Sequence, residues 1–100
     1  MFERIIGLNV IDEDAYARYR QGMTPILHFY NADFGYDFVI SSVLKSKVAS
    51  DINRVFTIDF PSERAMNSFF EDSAYIEIKK KYLDRAIDSK TIISMHEKQA

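Results

Sequence analysis

The chain predicts an α+β domain of the ferredoxin-like type, with the order β-α-β-β-α-β, an antiparallel four-stranded sheet ordered 4-1-3-2 and helices on one face. Three observations lead there. Arg54 to Phe60 alternates as a strand does, Pro61 stops it, and Ser62 opens a helix. The apolar segment Phe2 to Val10 passes into a helix at Asp12 in the same manner. A polar hairpin joins the two halves, and right-handed βαβ crossovers then leave this strand order as the simplest closure.

Each element has its own local signal. Phe2 to Val10 is β-branched and apolar, and Asp12-Glu13-Asp14 supplies an N-cap and negative charge where the helix dipole favours it. In helix one Ala15, Tyr19, Met23, Ile26 and Tyr30, with Tyr16 and Leu27 beside them, recur at three-to-four spacing and define a buried face. Pro25 lies inside that pattern without a backbone N–H, which predicts a kink or break between Gly22 and Pro25. Asn31 to Gly35 reads as a turn, Tyr36 to Leu44 as strand two, Lys45 to Asn53 as the hairpin loop and Arg54 to Phe60 as strand three. Ser62 caps a short helix that turns Ala65, Met66, Phe69 and Phe70 inward. Asp72-Ser73 restarts it, and Tyr75, Ile78, Tyr82, Leu83, Ala86 and Ile87 continue the stripe. Asp88-Ser89 reads as a turn and Thr91 to His96 as the last strand.

A chain of 100 residues makes one small domain, residues 1–100, and a domain of that size hides only about 60–70% of its unfolded surface. With 47% hydrophobic residues and only three Gly and two Pro it is a packed globule and not a disordered segment. The formal charge of -2 offers no general attraction to phosphate backbones or anionic lipid, so neither nucleic acid nor membrane is an expected partner. The absence of cysteine excludes thiolate nucleophiles and Cys-based metal sites. No signal peptide or membrane span is legible, so a cytoplasmic protein is expected. The RNA-recognition domains that share this element order need a Gly-rich basic signature on strand three, and Arg54 to Phe60 lacks it.

Strand parity predicts the assembly. Strand three sets Phe56, Ile58 and Phe60 against Val55 and Thr57. Strand one sets Ile6, Leu8 and Val10 against Ile5, and strand two sets Phe38 and Ile40 against Val39 and Val43. Neither face suits water, and two helices cover only one of them. Stacking of a second copy on the other face would hide roughly 800 Å² per subunit, so a homodimer is expected.

Tyr19-Arg20 followed by Pro25-Ile26-Leu27, then Arg54 to Ser62, then Phe69-Phe70-Glu71-Asp72-Ser73-Ala74-Tyr75, resemble in order the family known as domain of unknown function 1330 (DUF1330), within the dimeric α+β barrel superfamily. The resemblance implies a ferredoxin-like protomer that pairs through its sheet, with no activity established for the family. The chain departs from the family where a Gly-Gly pair and an arginine usually enter strand two, having Asn31 to Tyr36 instead. Phe69 or Phe70 stands where the usual helix-two tryptophan would be.

The expected ligand is a small, aromatic or anionic molecule in a cleft between the helices and the sheet. Tyr19, Arg20 and Tyr75, which match the family motif, supply hydroxyl and guanidinium donors. The alternative is a cofactor-independent enzyme, of monooxygenase or isomerase type, using the same cleft with His28 or Asp59 as its proton-transfer group. His28 and His96 lie too far apart for metal-ligand spacing, and no cofactor or metal is expected. Lys79 to Lys81, interleaved with Glu77 and Asp84, reads as a solvated face. Ser73 has no adjacent base and is rejected as a nucleophile.

Overall fold

The structure is a computed structural model and describes residues 1–99. Its elements are β1 (Phe2–Val10), α1 (Glu13–Phe29), β2 (Asp33–Val39), β3 (Arg54–Phe60), α2 (Glu63–Glu71), α3 (Ser73–Ile78), a π-helical turn (Lys79–Leu83), α4 (Asp84–Ala86) and β4 (Ile87–Glu97). The sheet is antiparallel in the order β2-β3-β1-β4, the predicted topology. All three predicted N-caps are in place. Asp12 accepts from the Ala15 N–H at 3.1 Å, Ser62 from Ala65 at 3.1 Å and Asp72 from Ala74 at 2.8 Å.

Side chains from β1, β3 and the helices close one core. Leu8, Ile58 and Phe60 meet Tyr16, Tyr19, Met23, Leu27 and Phe69, all essentially solvent-free. The Phe69 ring lies 5.8 Å from Phe60 and 4.6 Å from Tyr75, so the position expected of a tryptophan is filled by a phenylalanine at the centre of an aromatic cluster.

Four local expectations are corrected. Helix α1 is not interrupted at Pro25 and runs on to Phe29. Pro25 is exposed, so the Gln21 carbonyl it leaves unpaired is on the wet side of the helix, and the Thr24 hydroxyl bonds the neighbouring Arg20 carbonyl at 2.7 Å. Strand β2 starts three residues before Tyr36 and ends at Val39, because Asn31 takes a left-handed turn (φ 58°) that ends the helix directly into sheet pairing. Val43 and Leu44 belong to the loop of residues 40–53, where Leu44 is 99% exposed. Strand β4 begins at Ile87 and not at Thr91, since Ile87 and Ser89 already pair with Val10 and Asn9.

The register of β2 against β3 shifts between Phe34 and Asp37. This bulge returns both residues to the helix side, where Phe34 meets the Phe56 ring at 5.6 Å and Asp37 accepts from the Tyr16 hydroxyl at 3.1 Å. Gly35 permits the bulge, because an added Cβ there would collide with the Thr57 hydroxyl that accepts the Tyr36 N–H at 2.9 Å. Tyr36 (60% exposed) and Phe38 (51% exposed) are left stacked on each other on the side of the sheet that carries no helix.

Candidate functional site

Two of the three predicted ligand-binding residues meet in the interior. Tyr19 of α1 and Tyr75 of α3 point at each other between helices and sheet, their hydroxyls 3.0 Å apart and both rings buried. Burial pushes both phenols above their ordinary range, so each stays protonated. One hydroxyl proton is used in the mutual bond. The other has no acceptor among the described residues.

Arg20 does not join them. Its Nε approaches Asp37 Oδ2 at 3.0 Å, without the alignment of a hydrogen bond, and its guanidinium lies 4.9 Å over Phe34. The position beside the tyrosines is taken by Arg4 of β1, which the motif spacing does not single out. Its guanidinium lies 4.2 Å over the Phe70 ring and its Nη1 is 3.5 Å from Met95 Sδ on β4. Burial lowers its pKa, partly offset by the electronegative Tyr75 and Tyr19 hydroxyls nearby. The signal was present in the alternation of β1, which puts Arg4 on the same parity as Phe2, Ile6 and Leu8.

The arginines on the helix-facing side of the sheet differ in one respect. Arg54 is held by Glu13 at 2.6 and 2.9 Å and lies 4.7 Å over Tyr16. Burial pulls its pKa down most, but the Glu13 bond together with the charges of Glu13, Tyr16 and Asp37 outweighs this and the net shift is upward. Arg20 has Asp37. All three have a buried Nε that donates to nothing, but Arg4 alone has no carboxylate within ion-pair distance among the described residues. Lys90 of β4 pairs across from Leu8, and burial together with Arg4 and Lys79 lowers its pKa. Lys79 itself is engaged by Asp84 at 2.9 Å.

The catalytic candidates stand elsewhere. The His28 imidazole is 57% exposed on the outer end of α1, 3.4 Å from Asp33, and faces no cleft. Asp59 is on the helix-free side of the sheet, where its partner is Lys98 at 3.4 Å and not Arg4 or Arg20. Next to it, His96 Nε2 is 3.0 Å from Glu3 and Nδ1 is 2.6 Å from the Ser94 hydroxyl, a small polar cluster that strand spacing alone did not reveal. Among the described residues no three His, Cys, Asp or Glu side chains gather as a metal would require, and no helix is long and apolar enough to cross a membrane.

The same helix-free side also holds a cavity of about 530 Å³, formed where the loop of residues 40–53 folds over Val55, with Ile40, Val43, Val48, Ile52 and Ile93 in its walls. Ile52 rests against Gly7, where an added Cβ would lie 3.1 Å from it.

The sequence profile described as "Domain of unknown function (DUF1330)" matches residues 4–95, nearly the whole chain. The chain belongs to this family. Among solved structures, the DUF1330 chain is similar to RPA0582, a protein of unknown function from Rhodopseudomonas palustris, with a TM-score of 0.82 and 16% identity over 99% of this chain and 82% of that one. It is also similar to the Arabidopsis thaliana protein At3g17210, with a TM-score of 0.68 and 11% identity over 100% of this chain and 97% of that one. At these identities the likeness concerns the fold. No curated protein matches the DUF1330 chain in sequence.

Proposed function

We propose that this DUF1330 protein is a homodimer, paired through the helix-free face of its sheet, whose protomers bind a small aromatic or anionic molecule between the helical layer and the β1–β4 side of the sheet. The observation that supports binding is the uncovered edge of β4. Met95 and Lys90 pair with Arg4 and Leu8 and so share the helix-facing side, yet both are exposed, Met95 to 48%. On this reading the ligand lies in a gap between that edge and the helical layer, with Arg4, Phe70 and the Tyr19–Tyr75 pair at its inner end. Aromatic walls with a few convergent donors are the usual make-up of a small-molecule site. Pairing is supported by Tyr36, Phe38, Ile93 and the cavity wall, which together leave apolar surface on the face without helices.

A purified sample observed by native mass spectrometry, with a thermal-shift screen of small aromatic acids, amides and alcohols, tests both parts. Ligands are expected at one per protomer in a dimer, and they raise the melting temperature by mass action. Met95→Trp fills the gap from the solvent side and is expected to abolish the shift without changing the dimer mass. Ligands that bind Met95→Trp as well as the parent protein would place the site elsewhere.

Catalysis is the second reading, and one observation favours it: the contact chain Ser94–His96–Glu3 beside Asp59 sets a histidine between a hydroxyl and a carboxylate. That cluster lies on the helix-free face, so conversion of a ligand whose binding survives Met95→Trp, lost in His96→Gln with binding retained, would establish it.

A further inference from the structure

We infer that Arg4, with Lys90 on the same side of the sheet, forms a subsite for the carboxylate of an organic acid whose apolar or aromatic body lies along Phe70 and Met95. The inference rests on the binding reading above and names its ligand class.

Donors and acceptors do not balance at this point in the fold. Arg54 and Arg20, on the same side of the sheet, each have a carboxylate, Glu13 and Asp37. Arg4 is half-buried with a fully buried Nε that meets no acceptor, and its one polar contact is the weak thioether of Met95. The Nε of Arg20 and Arg54 is unbonded as well, so what sets Arg4 apart is a half-buried guanidinium with no carboxylate beside it. A buried charge is costly unless an opposite charge pairs with it. The Tyr19–Tyr75 pair adds a second uncommitted donor, since only one of the two hydroxyl protons is used in the bond between them. Lys90, which pairs with Leu8 and so faces the same side of the sheet, is a second cation without an ion-pair partner among the described residues. Arg4 and the tyrosine pair thus hold donors that no acceptor among the described residues takes up, with Lys90 on the same side of the sheet.

The chemistry of the walls selects the class of anion. A planar carboxylate takes two parallel bonds from the edge of a guanidinium, and stacking on Phe70 at 4.2 Å occupies the face of Arg4 and not its edge. Phe70 and Met95 are apolar surfaces for the rest of the ligand, which a fully hydrated inorganic anion would not use. Arg4 acts here as a binding residue, and no bond is made or broken in the ligand by this proposal.

The probes are acetate, benzoate, 3-phenylpropionate and decanoate, each compared with its primary amide by isothermal titration of the full chain. At least one acid with an apolar body is expected to bind roughly tenfold or more tightly than its amide. In Arg4→Met, which keeps a flexible apolar chain against Phe70, that preference is expected to fall to about one, and in Lys90→Met to fall part of the way. Far-UV circular dichroism confirms that the variants fold. In the parent protein the Arg4 Nε–H resonance is expected to shift on adding the preferred acid, which tests the contact without substitution. Acids and amides that bind equally, or a preference that survives Arg4→Met, overturn the carboxylate subsite and leave the groove itself standing. Binding of neither kind of probe overturns both.

Discussion

Asp72 works in two directions with one carboxylate. Oδ1 caps α3 through the Ala74 N–H at 2.8 Å and Oδ2 accepts the Tyr30 hydroxyl at 2.6 Å, tying the end of α1 to the junction between α2 and α3. The Tyr30 bond, then the backbone N–H, holds the Asp72 pKa below its usual 3.8. A carboxylate whose folded pKa is depressed contributes stability above its unfolded pKa and loses it as pH falls through the folded value. Tyr30→Phe is therefore expected to lower the urea midpoint at pH 7, and the gap from the parent protein should narrow below about pH 4 and close towards pH 2. A gap of the same size at both ends of that range would show that the hydroxyl acts through packing and not through the carboxylate.

At the scale of elements, α1 carries a proline that its neighbours tolerate. Pro25 is exposed and Met23 and Leu27 on either side are solvent-free, so the buried face continues past a missing hydrogen bond on the wet face. Pro25→Ala restores the N–H to the Gln21 carbonyl. It is expected to raise stability by about 2 kcal/mol, the helix-interior cost of proline less what proline removes from unfolded-chain entropy. Chemical denaturation measures it, and a loss of stability would mean that the ring itself packs.

The same element shows what a sequence discloses. Caps at Asp12, Ser62 and Asp72 were legible because each needs only its next three residues. Pro25 misled because local propensity was outweighed by tertiary burial. The start of β2 and the bulge at Gly35 depend on Thr57 and Asp59, more than twenty residues away in the chain, and the π-helical turn over Lys79–Leu83 has no composition signal of its own. In the site, Tyr19 and Tyr75 were named together and do meet, while Arg20 was chosen over Arg4. Nothing local distinguishes an arginine that finds Asp37 from one that finds no acid.

For the whole molecule the decisive quantity is the surface left without a partner. The helices cover one side of the sheet. On the other, the stacked Tyr36–Phe38 pair, Ile93 and the residue 40–53 loop with Leu44 fully in solvent lie on one continuous face, and both sheet edges, β2 and β4, are open. If two copies share that face, folding and association are linked, and stability depends on protein concentration in a way that a monomer's does not. A tenfold rise in concentration supplies about 1.4 kcal/mol per dimer, which for a domain of this size is about 3 °C in melting temperature. Phe38→Lys places a charge in the middle of the face while leaving the helix-side core untouched. It is expected to sediment as a monomer, to melt lower than the parent protein and to lose the concentration dependence altogether. Differential scanning calorimetry across two decades of concentration reads both. A parent melting temperature that does not move with concentration, together with a Phe38→Lys variant that melts like the parent, would show that this face is stable in water alone.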